Sequence, residues 1–147
     1  EEAWQSRLGK ESSVHEVDFP VLESDVINKE LTKKWDLYKQ LRKVINGAIE
    51  VKRKEKVIGS SLEASVTLFS TKNINEIDSD TLKNISIISE LTILNESPPE
   101  SSYISESDKD VGIVVKKVDG NKCERCWKYY PNLFKDMCAR CEQVVCK

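Results

Sequence analysis

Four cysteines near the end of the chain have the residue type and spacing of a metal site. Cys123 and Cys126 are separated by two residues, as are Cys138 and Cys141, and eleven residues lie between the two pairs. Four thiolates at this spacing suit a tetrahedral zinc ion with Zn–S distances of about 2.3 Å, because each short turn directs both sulfurs at one centre. Since four Cys fill the shell, the pattern predicts one structural Zn2+ and no open position for a catalytic water.

Other cysteine chemistries compete with zinc. Two disulfides, an iron site of the rubredoxin type and a redox Cys-x-x-Cys are the alternatives, although a reducing cytoplasm disfavours the first. A zinc hydrolase is excluded because it needs an open coordination position and a nearby base. Cys146 does not repeat the spacing, so we expect a free thiol there, and His15, the only histidine, is expected at the surface.

Aromatic and basic residues alternate between the two cysteine pairs. Trp127-Lys128-Tyr129-Tyr130-Pro131 is flanked by Arg125, Lys122 and Lys135. Such a mixture suits stacking on exposed nucleobases while the cations meet phosphate. It equally suits the small core that a zinc module needs. The candidates for such nucleic-acid contacts in this region are Arg125, Trp127 and Lys128.

The net charge of −2 hides two basic segments in an acidic background. Residues 29–56 hold ten basic and four acidic side chains, and residues 116–147 hold eight and four. The opposite holds for residues 1–28, with seven acidic and two basic, and for residues 73–110, with nine and two. A polyanion responds to such clusters rather than to the total charge, although a solvated helix face and an ordinary basic tail would look the same.

A helical pattern begins at about Asp25 or Asn28 and is expected to end near Gly59. Its apolar positions step by three or four and are Leu31, Trp35, Tyr38, Leu41, Ile45 and Ala48, widened by Leu37, Val44 and Val51. The helix should therefore bury one face and expose a basic one. The basic residues that fall largely outside the apolar stripe, and so form the basic face, are Lys33, Lys39, Arg42, Lys43, Lys52 and Arg53.

The rest of the chain alternates between short elements and irregular segments. Residues 1–24 are expected to be an irregular lead-in whose Trp4, Val14, Val17 and Phe19 dock onto a neighbour. Alternation of apolar and polar residues predicts a strand over residues 62–68. A short helix capped by Asn73 and a strand within 85–94 should follow. The Pro, Ser and acidic residues of 97–110 predict a linker, and a strand is expected over 111–118. This is an α+β chain. We expect a helical part at 1–60, a small α+β junction domain at 61–119 and a metal module at 120–147.

The sequence also bounds the location and completeness of the chain. It has no apolar run long enough for a membrane span and no signal-peptide pattern, so a cytoplasmic protein without membrane contact is expected. It does not begin with Met, and its only Met is Met137, which suggests a piece of a longer protein.

Two stretches resemble the C-terminal region of bacterial-type isoleucyl-tRNA synthetases. Residues 120–129 with 138–141 are similar to the zinc finger that ends those enzymes, a type also found in formamidopyrimidine-DNA glycosylases. The second stretch is similar to the last long helix of their anticodon-binding domain and the turn after it, and its matching residues are Trp35, Leu41, Arg42, Val44, Asn46, Ala48, Glu50, Arg53, Lys56, 58–59 and 61–64. Residues 1–4 and 14–20 resemble the segment before that helix. Gly47 and Ile49 depart from the pattern, and a helical Gly costs about 1 kcal/mol relative to Ala.

The resemblance implies a tRNA-recognition piece of an isoleucine–tRNA ligase. It would bind the anticodon end of the isoleucine tRNA through the basic helix and the zinc module. The residues that would contact RNA are Lys33, Lys39, Arg42, Lys43, Lys52, Arg53, Arg125, Trp127 and Lys128. The family's His-Ile-Gly-His and Lys-Met-Ser-Lys-Ser signatures are absent here, so ATP and Mg2+ would bind only in the catalytic part of the parent, and the chain alone should be inactive. Its expected partners are tRNA and the remainder of the parent chain, with the protein a monomer.

The alternative is a zinc finger that binds another nucleic acid or a protein, such as the finger of a DNA glycosylase. A glycosylase of that type should carry a catalytic N-terminal proline, and this chain begins with Glu1.

Overall fold

The computed structural model describes residues 1–8, 13–21, 28–72, 74, 76–106 and 108–145. The chain divides into two compact units, Glu1–Thr32 and Lys33–Lys147, and each is considered by itself. In the described ranges, none of the helices combines the length and the apolar composition that crossing a membrane requires.

The first unit contains a short helix that the sequence pattern did not reveal. Helix α1 (Glu2–Leu8) carries Glu2 in its first turn and Arg7 in its last, which suits the helix dipole. A 3₁₀ turn follows at Val14–Glu16, where the Val14 N–H donates to a Glu1 carboxylate oxygen at 3.2 Å. The prediction of an irregular lead-in is therefore wrong for residues 2–8. Seven residues show too little periodicity to distinguish a helix from a loop.

Helix α2 (Lys29–Lys54) is the long helix predicted from the apolar stripe. It begins after Asn28, whose side-chain oxygen accepts the Leu31 N–H at 2.9 Å, whereas Asp25 lies outside the described residues. It ends where the Val57 N–H donates to the Lys52 carbonyl and the Lys56 N–H to the Arg53 carbonyl. These two bonds form a Schellman motif with Lys56 in the left-handed region at φ 59°. Gly59 was therefore the wrong stop signal.

The buried face of α2 is shorter than the predicted stripe. Its buried residues are Tyr38, Leu41, Val44, Ile45, Ala48 and Ile49. Leu31, Trp35 and Val51 are 38–50% exposed, although the Trp35 ring contacts that of Tyr38 with centroids 5.4 Å apart. The helix therefore buries its middle and exposes apolar side chains near both ends.

A four-stranded sheet lies against this face of the helix. The strands are β1 (Ala64–Ser70), β2 (Glu90–Leu94), β3 (Tyr103–Ser105) and β4 (Asp108–Lys117), in the order β2-β1-β4-β3. β1 and β2 are parallel and are joined by helix α3 (Ser79–Ile85), whereas β4 is antiparallel to both β1 and β3. The predicted α+β class is confirmed.

Alternation along the strands builds the core. Ala64, Val66 and Leu68 of β1 are fully buried, and Val111, Ile113 and Val115 of β4 join them in one cluster with the buried face of α2. This is the outcome expected for a sheet with one buried face. The sheet and helix thus form a core separate from the cysteine cluster.

Two predictions between the strands are wrong. Helix α3 is capped by Asp78, whose carboxylate accepts the Thr81 N–H at 2.7 Å, while Asn73 lies outside the described residues. The predicted linker over 97–110 contains β3 and the first residues of β4. Its polar composition hid a strand because β3 pairs with β4 across a turn, with Tyr103 opposite Ile113.

The cysteine segment adds a small hairpin and a helix. Strands β5 (Asn121–Lys122) and β6 (Tyr129–Tyr130) are antiparallel, and helix α4 spans Ala139–Val145. Gly120, at φ 123°, precedes the hairpin, and a Cβ there would lie 2.5 Å from the Tyr130 carbonyl oxygen. Only glycine fits this approach without a backbone shift.

Candidate metal centre and nucleic-acid interface

The four predicted cysteines converge on one point. The Sγ atoms of Cys123, Cys126, Cys138 and Cys141 all lie within 4.8 Å of one another, and those of Cys126 and Cys138 are 3.8 Å apart. A tetrahedron with Zn–S bonds of about 2.3 Å has edges of about 3.8 Å. None of the four is in a disulfide. The cluster could therefore bind a metal ion, since every sulfur–sulfur separation is at most about 1 Å above the ideal edge.

Backbone hydrogen bonds and helix α4 hold the two cysteine turns. In the first turn the Trp127 N–H donates to the Cys123 carbonyl at 2.8 Å, and the Cys123 N–H donates to the Lys128 carbonyl at 2.9 Å. Cys138 immediately precedes α4 and Cys141 lies in its first turn. The Glu124 N–H donates to the Asp136 carbonyl at 3.0 Å, which ties the first cysteine turn to the loop before the second.

The thiols differ in acidity because their surroundings differ. Burial raises the pKa of Cys123, but backbone N–H groups of Cys126, Cys138 and Arg125 outweigh it and lower that pKa to about 6. Burial raises the pKa of Cys126, and the sulfurs of the other three cysteines add to this, giving a pKa of about 11. Adjacent thiolates repel, so a cation is what would allow all four to ionise together.

Among the described residues, two hydrogen bonds connect the cysteine segment to the helix α3 and strand β2 region. The Lys128 ammonium donates to the Asn84 side-chain oxygen at 2.6 Å, and the Tyr129 N–H donates to the Ser89 hydroxyl oxygen at 2.8 Å. Ser89 in turn donates to the Leu62 carbonyl at 2.6 Å. Lys128 is therefore engaged at this junction, and burial lowers its pKa.

The aromatic residues between the cysteine pairs have different surroundings. Tyr130, Leu133 and Met137 pack against the buried cysteines and form the small core. Burial, followed by hydrogen bonding to Cys138, raises the pKa of Tyr130. Trp127 is 59% exposed at φ 64°, with the Lys122 ammonium 5.6 Å from its ring centroid. Its ring is thus outside the core and open to a ligand.

The predicted basic residues of α2 are at the surface. Lys33, Lys39, Arg42, Lys43 and Arg53 are exposed and Lys52 is half-buried. Lys39 pairs with Asp36, Lys52 with Glu55 and Arg53 with Glu50, at 2.6 to 3.1 Å. Such solvent-accessible ion pairs contribute little to stability, so they do not fix these side chains in place. Arg125 is also exposed, whereas His15 is an exposed residue of the first unit.

No family model matches the chain, but the chain matches curated isoleucine–tRNA ligases. The isoleucine–tRNA ligase of Natranaerobius thermophilus is 31% identical over 156 residues, which cover 99% of this chain and 17% of that protein. The isoleucine–tRNA ligases of Staphylococcus aureus strains JH9 and Newman are 37% identical over 156 residues, with 99% of this chain and 16% of each relative covered.

The chain resembles one part of the isoleucine–tRNA ligases. This confirms the resemblance stated from the cysteine and helix motifs, and it extends over 99% of the chain, including the acidic middle. The chain spans 16–17% of the length of these curated relatives.

One exposed aromatic residue was not singled out from the sequence. Phe134 is 54% exposed, and the Lys135 ammonium lies 5.4 Å from its ring centroid. The signal was an aromatic next to a lysine, as in Trp127-Lys128. Sequence reasoning treated the loop only as a connection between the cysteine pairs. The contacts of Asn84 and Ser89 with the cysteine segment could not be predicted from local sequence, because the contacting residues are about 40 positions apart.

Proposed function

We propose that this chain is the tRNA-recognition C-terminal part of an isoleucine–tRNA ligase. The similarity to these ligases along 99% of the chain carries the proposal. In the parent protein the activity would be ATP-dependent attachment of isoleucine to its tRNA. ATP and Mg2+ would bind in the catalytic part, whose two signature sequences this chain lacks.

The metal is proposed to be one structural Zn2+ held by Cys123, Cys126, Cys138 and Cys141. Support comes from the all-sulfur donor set and the 3.8 Å separation of two Sγ atoms, which match tetrahedral zinc. When bound, the ion would fix the loop and α4 and hold all four sulfurs as thiolates. It would leave no site for substrate, so its role would be to shape the RNA-binding surface.

The RNA-binding surface is proposed to have two parts with different roles. The basic residues of α2, with Arg125 and Lys128, would contact phosphates and orient the tRNA without reading its sequence. Trp127 would stack on an unpaired base at the anticodon end, since its ring is exposed beside a fixed cysteine turn. The Lys128 ammonium donates to Asn84, but an ammonium has further N–H donors that can contact a phosphate.

The proposed organisation follows from the same assignment. Residues 1–60 would end the helical anticodon-binding domain, residues 61–119 would form a junction domain and residues 120–147 the zinc module. The remainder of the parent chain and tRNA would be the partners of a monomeric cytoplasmic protein.

A titration with different nucleic acids tests this function. We expect the metal-loaded chain to bind an isoleucine tRNA more tightly than a noncognate tRNA or a glycosylase substrate duplex. We also expect no isoleucine-dependent pyrophosphate exchange with ATP, because the nucleotide-binding signatures are missing. Preference for the damaged duplex would favour the glycosylase-type finger. Absence of any nucleic-acid binding would favour a protein-interaction module.

A further inference from the structure

Phe134 is a large apolar side chain that folding of the cysteine segment does not use. Its neighbours Leu133 and Met137 pack against the buried cysteines, but its own ring is 54% exposed. A segment with so small a core gains by burying every aromatic ring that it can. The exposed ring is therefore available for a contact outside the folded chain.

The turn that carries Phe134 is both strained and fixed. The Phe134 N–H donates to the Met137 carbonyl at 2.9 Å and the Met137 N–H donates to the Phe134 carbonyl at 3.0 Å. The two residues between them, Lys135 and Asp136, both have positive φ, at 47° and 59°. This is the backbone of a type I′ turn, which normally takes Asn-Gly, so ordinary side chains here are unfavourable. The Asp136 carbonyl also accepts the Glu124 N–H of the first cysteine turn, which fixes the backbone that carries the ring.

The charge around the ring favours a polyanion. The Lys135 ammonium lies 5.4 Å from the Phe134 ring centroid, nearly the distance at which Lys122 lies from Trp127. Residues 120–145 hold five basic and three acidic side chains. The same pairing of an exposed ring with a lysine thus occurs twice in one small segment.

We propose that Phe134 is a second stacking platform for an unpaired nucleobase, with Lys135 meeting the adjacent phosphate. The proposal rests on the RNA-binding function inferred above and adds a site to it. One face of a phenyl ring can take any base, because every base has a π-face, so this platform would add affinity without selecting a sequence. The cysteine segment would then offer two exposed rings, Trp127 and Phe134, to single-stranded RNA.

Substitutions in the metal-loaded chain test the proposal. Phe134→Ala should weaken binding of an isoleucine tRNA and of a short single-stranded RNA by about tenfold, the usual loss for one stacked base. Phe134→Leu should weaken both similarly, because Leu keeps the apolar surface but has no π-face. The matched control is Val144→Ala, a change at a 57% exposed apolar residue of the same segment, and it should leave both affinities unchanged. Metal content should be one equivalent per chain in all four proteins.

The salt response separates the ring from its lysine. Phe134→Ala should leave the dependence of affinity on salt unchanged, whereas Lys135→Gln should lower its slope by about 0.7 to 0.9. In NMR spectra of the wild type, the short RNA should shift the Phe134 ring signals upfield.

The failures of the two proposals are distinguishable. If the wild-type chain binds no RNA, the function itself is wrong. If the wild type binds and Phe134→Ala binds equally well, only the second platform is overturned. Wild-type affinity in Phe134→Leu would show a merely apolar contact and overturn the stacking role. Loss of metal by both Phe134→Ala and Phe134→Leu would also overturn the stacking role, because it would show that the ring stabilises the folded cysteine segment.

Discussion

Gly47 is a residue whose role changes between sequence and structure. By sequence it is an unfavourable glycine inside α2, and replacing it with Ala would normally stabilise a helix by about 1 kcal/mol. In the structure a Cβ at Gly47 would lie 2.6 Å from the Tyr103 hydroxyl oxygen and 3.0 Å from the ring carbon that bears it. The absence of a side chain lets β3 pack closely against the helix.

We therefore expect Gly47→Ala to destabilise the chain, by about 1 to 3 kcal/mol as for other overpacked sites. The measurement is the free energy of unfolding in urea at fixed metal content. Tyr103→Leu removes the obstructing ring, so Gly47→Ala should be neutral or stabilising in that background. A gain in stability from Gly47→Ala alone would show that Tyr103 moves freely and that the close approach is unimportant.

At the level of elements, the start of α3 depends on one carboxylate. Hydrogen bonds from the Thr81 side chain and the Thr81 N–H lower the pKa of Asp78 below its usual range. In the unfolded chain an Asp has a pKa of about 3.9, and in the folded chain the pKa of Asp78 is lower. The ionised cap therefore stabilises the fold fully when the pH is above the unfolded-state pKa. This contribution is lost as the pH falls through the folded-state pKa.

Asp78→Ala should accordingly lower the urea midpoint at neutral pH, and the difference from wild type should shrink at acidic pH. Glu76→Ala is the control, because it removes a carboxylate just before the cap that is exposed and forms no ion pair with the described residues. Comparing variants at each pH cancels any loss of metal that they share. A midpoint difference that stays constant with pH would contradict a role for the ionised cap.

Local patterns predicted some elements, and long-range pairing decided the others. The alternation of Ala64, Val66 and Leu68 predicted β1 because that face is buried whatever its partner is. Strand β3 could not be predicted, since its three residues depend on pairing with β4. The end of α2 was misplaced because Lys56 adopts a conformation that sequence reasoning assigns to glycine. The cysteine spacing predicted the cluster because metal ligands within short turns are a local property.

For the whole molecule, two separate cores imply that metal removal acts on only one of them. The cysteine segment has a core of cysteines with Tyr130, Leu133 and Met137, whereas the helix and sheet share a larger one. Chelation should therefore unfold residues 120–145 and leave α2 and the sheet folded. Amide exchange read by NMR should rise in α4 and stay slow at Ile45 and Leu68.

The variant Cys126→Ser should reproduce the effect of chelation without any chelator. Slow exchange in α4 after complete loss of metal would contradict a structural role for the ion. Simultaneous unfolding of both cores would show that the contacts of Asn84 and Ser89 couple them.

The distribution of charge over the molecule leads to the last prediction, which separates orientation of the RNA from base stacking. Arg42 is exposed and forms no ion pair with the described residues, so Arg42→Gln should weaken all tRNAs alike and lower the salt slope by about 0.7 to 0.9. Lys109→Gln makes the same charge change in the acidic middle of the chain and should alter neither. Trp127→Ala should cost about 1 to 3 kcal/mol of affinity at an unchanged slope, because stacking depends little on salt. If Lys109→Gln lowers the tRNA affinity as much as Arg42→Gln does, RNA responds to the overall charge rather than to the basic helix. If Trp127→Ala changes the salt slope of the affinity, the exposed ring and the basic helix have no separate roles.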